Sequence, residues 1–183
     1  TAAPASAQVE FGARLGWNLS SFGDIRGVEV ERETATVGGV WASFGRSLAL
    51  RPEVLFSKRQ ASLVDGSGRA PLSQNFVEVP LLLVLRTGAG VLRPSLFGGM
   101  TVSFETDCDT DFRSAPDAPD GCEGFFGAGT DSPLWGGVAG GALHLRLGPV
   151  RMGVDARYNH GFTEIAPGAD THWRYWSVGV DAG

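Results

Sequence analysis

The sequence predicts an all-β chain, an eight-stranded antiparallel up-and-down β-barrel. Three observations carry that prediction. Apolar residues recur at nearly every second position through eight separate stretches, the period of a strand with one apolar and one polar face. The connections between these stretches alternate strictly between tight turns and long segments. No run of about 18 apolar residues occurs, which excludes a transmembrane helix. The longest such stretch, Val79 to Leu85, is too short and contains Pro80.

The first strand covers Gln8 to Leu19. Val9, Phe11, Ala13, Leu15, Trp17 and Leu19 lie on one face, and Glu10, Gly12, Arg14, Gly16 and Asn18 on the other. The second and third strands form a hairpin within Thr36–Gln60 that reverses at Gly45-Arg46-Ser47. In its second arm Leu48, Leu50, Val54 and Phe56 share one parity, and Arg51, Glu53, Ser57 and Arg59 the other. In its first arm Val37 and Trp41 take the parity opposite to Val40 and Phe44, and a bulge near Gly38-Gly39 is expected to reconcile them. The fourth strand, Phe76–Arg86, sets Val77, Val79, Leu81, Leu83 and Leu85 against Glu78 and Arg86. The fifth, Val91–Phe104, sets Leu92, Leu96, Met100, Val102 and Phe104 against Arg93, Ser95, Thr101 and Ser103. The sixth, Leu134–Leu147, sets Trp135, Ala139, Leu143 and Leu145 against Gly136, Gly140, His144 and Arg146. The seventh, Val150–Phe162, sets Met152, Val154, Tyr158 and Phe162 against Arg151, Asp155, Arg157 and Asn159. The eighth, Trp173–Ala182, sets Trp176, Val178 and Val180 against Tyr175, Ser177 and Asp181.

Long connections are expected at 20–33, 61–75, 105–133 and 163–172, and tight turns at 45–47, 87–90 and 148–149. An even strand count with this asymmetry places both termini on the short-turn side, as in transmembrane barrels. Residues 8–183 then form one domain. Thr1–Ala7 reads as the end of a secretory signal, with Ala5-Ser6-Ala7 as a small-residue cleavage site, or as a disordered Ala/Pro tail.

Alternation alone does not say which face is inside, because a soluble lipocalin-like barrel has the same period with its apolar face inward. The polar face is rich in Gly, Ala and Ser, which suits a narrow lumen. The chain carries fourteen arginines and a single lysine, Lys58, and arginine suits buried ion pairs. Charges of both signs share the polar face: Glu10, Glu53, Glu78, Asp155 and Asp181 with Arg14, Arg51, Arg93, Arg146 and Arg157. Such a set can neutralise itself inside a dry lumen. Trp17, Phe56, Phe104, Trp135, Phe162 and Trp176 fall near the strand ends that meet the long connections, the place of an interfacial girdle. The expectation is a transmembrane barrel with lipid outside.

At this point the strands resemble a known family, the small porin-like outer-membrane β-barrel domains of Bacteroidetes and related Gram-negative bacteria. The carriers are the blocks 38–44, 50–58, 77–83, 93–99 and 155–162, in that order along the chain. The resemblance implies an eight-stranded barrel placed in the bacterial outer membrane by its assembly machinery, and it implies no reaction. Such chains end in an aromatic residue; this one departs from that pattern with Val180-Asp181-Ala182-Gly183.

Charge and motifs narrow the function. Residues 105–133 hold Glu105, Asp107, Asp109, Asp111, Asp117, Asp120, Glu123 and Asp131 against Arg113 alone, and the whole chain carries −5. No basic stripe is present, so nucleic acid is not an expected partner. Cys108 and Cys122 lie in this segment, and a disulfide between them suits an exported protein; a metal pair is the weaker reading. Asp107, Asp109 and Asp111 resemble the start of an oxygen-ligand Ca²⁺ loop, without the glycine and distal glutamate of an EF-hand, and a plain solvated acidic loop is the competing reading. No other cofactor is implied. His144, His160 and His172 share no motif with Ser, Cys or paired acids, so no enzyme is expected. Eight strands leave an interior just wide enough for side chains to fill, which argues against a diffusion pore. The leading expectation is a structural, anchoring or interaction barrel that shows its long segments, 105–133 above all, to lipopolysaccharide, other envelope components or a protein partner. The alternative is a transporter or binder of small hydrophobic molecules with an apolar lumen near Leu82, Phe97 and Val138; a soluble lipocalin-like binder is weaker.

Overall fold

The computed structural model describes residues 8–21, 29–32, 34–65, 68–88, 90–110, 133–148, 150–163, 172 and 174–183. The signal-like stretch 1–7 lies outside them. The described strands are β1 (Val9–Ser21), β2 (Glu29–Arg32), β3 (Thr34–Gly45), β4 (Leu48–Asp65), β5 (Gly68–Arg86), β6 (Leu92–Thr110), β7 (Leu134–Leu147), β8 (Val150–Gly161) and β9 (Arg174–Ala182). Both β2 and β3 pair with β4 and are parted only by residue 33, so they are two lengths of one barrel strand. The eight strands that result are antiparallel to their neighbours, and pairing of β4 with β5 closes the sheet on itself. Closure removes the open edges that lipid could not solvate.

Alternation sorts the side chains as a membrane requires. Phe11, Leu15, Val40, Phe56 and Leu96 are each at least 60% exposed on the outer wall, whereas Arg14, Glu53 and Asn18 are at most 1% exposed inside. Along β1 the outward apolar residues run from Val9 to Leu19. Eleven strand residues span about 34 Å, or about 25 Å of membrane depth at the usual tilt, which matches a hydrocarbon belt.

Two sequence expectations are corrected here. The ladder of β3 runs without a shift past Gly38 and Gly39 on both sides, with Leu15 opposite Gly38 and Gly39 opposite Leu55. No bulge reconciles the two parities: Val37 and Trp41 simply face the lumen, at 4% and 3% exposure. Trp41 fits because its indole lies against Gly12, where a Cβ would come within 2.3 Å of the ring. The register shift within β5–β6 falls elsewhere, between Asn75 and Phe76.

Several expected connections are also partly strand. The ladder of β4 and β5 continues from Ala61–Leu72 to Asp65–Gly68, and β6 runs on to Thr110. Beside them β2 pairs with β4 from Arg32–Ala61 to Glu29–Val64. Each extension has a hydrogen-bonding partner from the next, so the barrel wall rises beyond the apolar belt as a ribbon. The last pair of the β4–β5 ladder among the described residues is Asp65 with Gly68.

At the opposite end the connections are short. Gly148, between β7 and β8, takes φ +64°, a left-handed conformation that glycine adopts without a Cβ penalty. Inside the barrel, Ala49, Leu82, Val84, Phe97 and Val138 form an apolar cluster on the β4–β7 wall, with Ala142 packed against it. The remaining interior is polar, and it holds the candidate site.

Candidate functional site

The lumen is filled by ion pairs in three levels along the barrel axis. At the short-turn level, Glu10 from β1 receives Arg151 Nη1 at 2.6 Å and Arg86 Nη2 at 3.0 Å. Arg86 also donates to Ser43 Oγ at 2.6 Å. Trp41 roofs this level, with the guanidinium of Arg51 at 4.2 Å and that of Arg151 at 5.1 Å from the ring centroid, both in cation–π range.

The middle level is one continuous chain of charges. Arg14 grips Asp155 through Nε and Nη2, each at 2.9 Å, and gives Nη2 to Ser177 Oγ at 2.8 Å. Arg157 Nε reaches the same carboxylate at 2.8 Å, and its Nη1 and Nη2 donate to Glu53 at 2.6 and 3.2 Å. Glu53 then meets Arg51 Nε at 2.8 Å, and Arg51 donates to Asp181 Oδ2 at 3.2 Å. His144 Nε2 closes the chain 3.2 Å from Asp181. Three guanidiniums alternate with three carboxylates, drawn from β1, β4, β8 and β9. That balance satisfies the requirement that charges taken from water be paired and hydrogen-bonded. Gly179 makes room for it: a Cβ there would stand 2.8 Å from the Arg14 guanidinium.

At the third level, toward the long segments, Arg59 Nη2 donates to Glu78 Oε1 at 2.6 Å and Tyr175 Oη donates to Glu78 Oε2 at 2.8 Å. The Arg59 guanidinium lies 4.0 Å from the Phe76 ring centroid and 5.0 Å from that of Tyr175. Below it Asn18 Nδ2 donates to Ser57 Oγ at 2.7 Å.

The ten charges grouped in the sequence reading thus divide. Glu10, Arg14, Arg51, Glu53, Glu78, Asp155, Arg157 and Asp181 occur in these levels. Arg93 and Arg146 stand apart: each lies within three residues of a short turn, and they donate to the Gly90 and Gly148 carbonyls at 3.2 and 3.4 Å. Strand parity alone could not separate them, because the lumen opens to solvent at its rim. Conversely, Arg59, Arg86, Arg151 and Tyr175 belong to the levels and were not named as members. Their inward parity was the available signal.

The outer wall carries the aromatic set. Trp17, Phe56, Phe104, Trp135, Phe162 and Trp176 are all exposed, and Val77 sits between Phe56 and Phe104 in register, so these side chains ring the long-segment end of the belt. Next to Trp176, Tyr158 packs at 5.2 Å; His160 lies 5.8 Å from Phe162 and 6.0 Å from His172.

The acidic run begins in a strand, not a loop. Asp107 stands opposite Asn75, which donates to its carboxylate at 3.4 Å. Cys108 and Asp109 continue β6 in backbone register, while Asp111 and Cys122 lie outside the described residues, as do the disulfide and the Ca²⁺ loop that depend on them. Among the described residues no group of three or more His, Cys, Asp or Glu is placed to hold a metal.

No protein-family model and no curated protein sequence matches the chain. Solved structures do. The outer membrane protein OprG from Pseudomonas aeruginosa superposes with a TM-score of 0.56 at 13% identity, over 94% of each chain. Neisserial surface protein A (NspA) gives 0.52 at 11% identity, over 95% of this chain and 97% of that one. At such identity the likeness is one of fold: a closed eight-stranded barrel of the bacterial outer-membrane type. The exposed apolar belt, the aromatic ring above it and the charged interior make the chain a transmembrane barrel on independent physical grounds.

Proposed function

We propose that the chain is a structural and interaction barrel of the bacterial outer membrane. It is a rigid anchor that holds the β2–β4–β5–β6 ribbon and segment 105–133 at the cell surface for contact with lipopolysaccharide, other envelope components or a protein partner. The observation that carries this reading is the filled lumen. Three levels of paired charges cross it, and the apolar cluster around Leu82 and Phe97 fills the opposite wall. A barrel so packed has little to conduct, and its investment is in rigidity. A bridge between Cys108 and Cys122 would stiffen the largest displayed segment, typically by about 2–4 kcal/mol of stabilisation.

The reading as a binder of small hydrophobic molecules draws on Leu82, Phe97 and Val138 sharing one cluster. It ranks second because these side chains pack on one another, at 0 to 8% exposure. A soluble lipocalin-like binder would need the faces exchanged, with Leu15 and Leu81 inside and Arg14 and Asp155 outside.

Planar-bilayer recording of the purified chain tests the proposal. Silent bilayers with inserted, heat-modifiable barrel are expected. Stable stepwise conductance, or saturable uptake of a small hydrophobic probe into reconstituted vesicles, would favour transport instead.

A further inference from the structure

A hollow of about 290 Å³ lies on the lipid-facing wall at the level of the aromatic ring, lined by Thr36, Phe56, Ser57, Lys58, Asn75, Phe76 and Thr106. Its origin is the register shift in β5–β6. Phe76 stands opposite Glu105 and Asn75 opposite Asp107, so Thr106 is the extra residue of a β-bulge. Bulges bend a strand and re-aim its side chains. Here the Thr106 hydroxyl turns back to donate to the Asn75 carbonyl at 3.1 Å.

Lys58 stands directly opposite Asn75 on β4, between the inward Ser57 and Arg59, so its side chain belongs to the outer wall. It is the only lysine in a chain with fourteen arginines. Among the inward arginines, Arg14 and Arg157 use the guanidinium fork in bidentate pairs with Asp155 and Glu53. A lone ammonium on a flexible stem suits a different task, a point charge toward a phosphate. Beneath it Phe56, 66% exposed, offers an apolar floor where acyl chains begin. The hydroxyl of Thr36 and the amide of Asn75 supply neutral polar groups at the rim, and the amide donates to Asp107 Oδ2 at 3.4 Å.

We propose that this hollow is a site for the phosphate of an outer-leaflet lipid head group. Lys58 carries the charge, Thr36 and Asn75 flank the sugar–phosphate, and the first methylenes of the acyl chains lie on Phe56. The inference rests on the transmembrane reading, which fixes the hollow at the head-group level, and it adds a ligand class and a place to the surface role proposed above.

Native mass spectrometry of the full chain in detergent, titrated with lipid A or with its dephosphorylated form of identical acyl chains, tests the site. Phosphorylated lipid is expected to be retained by the wild type and by Lys58→Arg. Retention by Lys58→Ala is expected to fall about fivefold or more, on the order expected for one basic residue at an anionic surface. Arg174→Ala removes an exposed outward cation from β9 and should leave retention unchanged. Equal retention by Lys58→Ala, equal loss in Arg174→Ala, or no preference for the phosphorylated lipid would overturn the site. Displacement by equimolar inorganic phosphate would reassign it to free phosphate. Heat-modifiability of each variant is read in parallel: a barrel that folds and shows no dependence on Lys58 refutes this inference alone, whereas a chain that stays soluble without detergent refutes the membrane reading as well.

Discussion

Arg157 joins two buried carboxylates, Glu53 and Asp155, and nothing else described holds those two together. Replacing it with alanine leaves that carboxylate pair short of a cation in a water-poor lumen. The expected loss is about 3–5 kcal/mol, read as a shift in urea unfolding of the detergent-refolded barrel. The double change Arg157→Met with Glu53→Leu should cost less than Arg157→Met alone, because removing the surplus carboxylate leaves two balanced pairs, Arg14–Asp155 and Arg51–Asp181. Gly179→Val tests the space rather than the charge. It drives a side chain into the Arg14 guanidinium and should cost about 1–3 kcal/mol by the same assay. At this scale the sequence was informative up to a point. Inward parity picked out Arg14, Glu53 and Asp181, yet which acid each arginine meets depends on side chains crossing from nonadjacent strands. Arg14 and Asp155 are 141 residues apart and sit on β1 and β8, with β9 between them.

Among the strands, the outer wall is where a single charge does most damage. Leu81 lies midway along the outward row of β5, and Leu81→Arg should destabilise the lipid-reconstituted barrel by about 2–4 kcal/mol, whereas the same change at an end of the row costs less. The ribbon is the converse case. Replacing 62–71 by an Asn-Gly turn removes strand that rises beyond the aromatic ring, and the shortened chain should still fold to the fast-migrating, heat-modifiable form. Eight alternating stretches were legible because period two is local. The length of β4, β5 and β6 was not, since polar residues such as Ser73 and Asp107 are strand only because a neighbour pairs with them. The parity conflict at Val37 and Trp41 misled for a related reason: the alternation signal assumes that apolar means outward, and a lumen with room beside Gly12 accepts an indole.

For the whole molecule, the account turns on one inversion, with charge inside and apolar surface outside. Closure, the belt, the aromatic ring and the filled lumen all follow from it, and so does the choice of an anchor over a soluble pocket. Tryptophan reports on it from both faces, since Trp176 is 55% exposed on the outer wall and Trp41 is 3% exposed inside. The decisive measurement is fluorescence of two single-tryptophan variants, one retaining Trp176 and one retaining Trp41, in vesicles whose acyl chains carry bromine near the head group. Strong quenching of Trp176 with Trp41 left bright is the predicted result. Quenching of Trp41 with Trp176 unaffected would contradict the inversion and turn the barrel inside out.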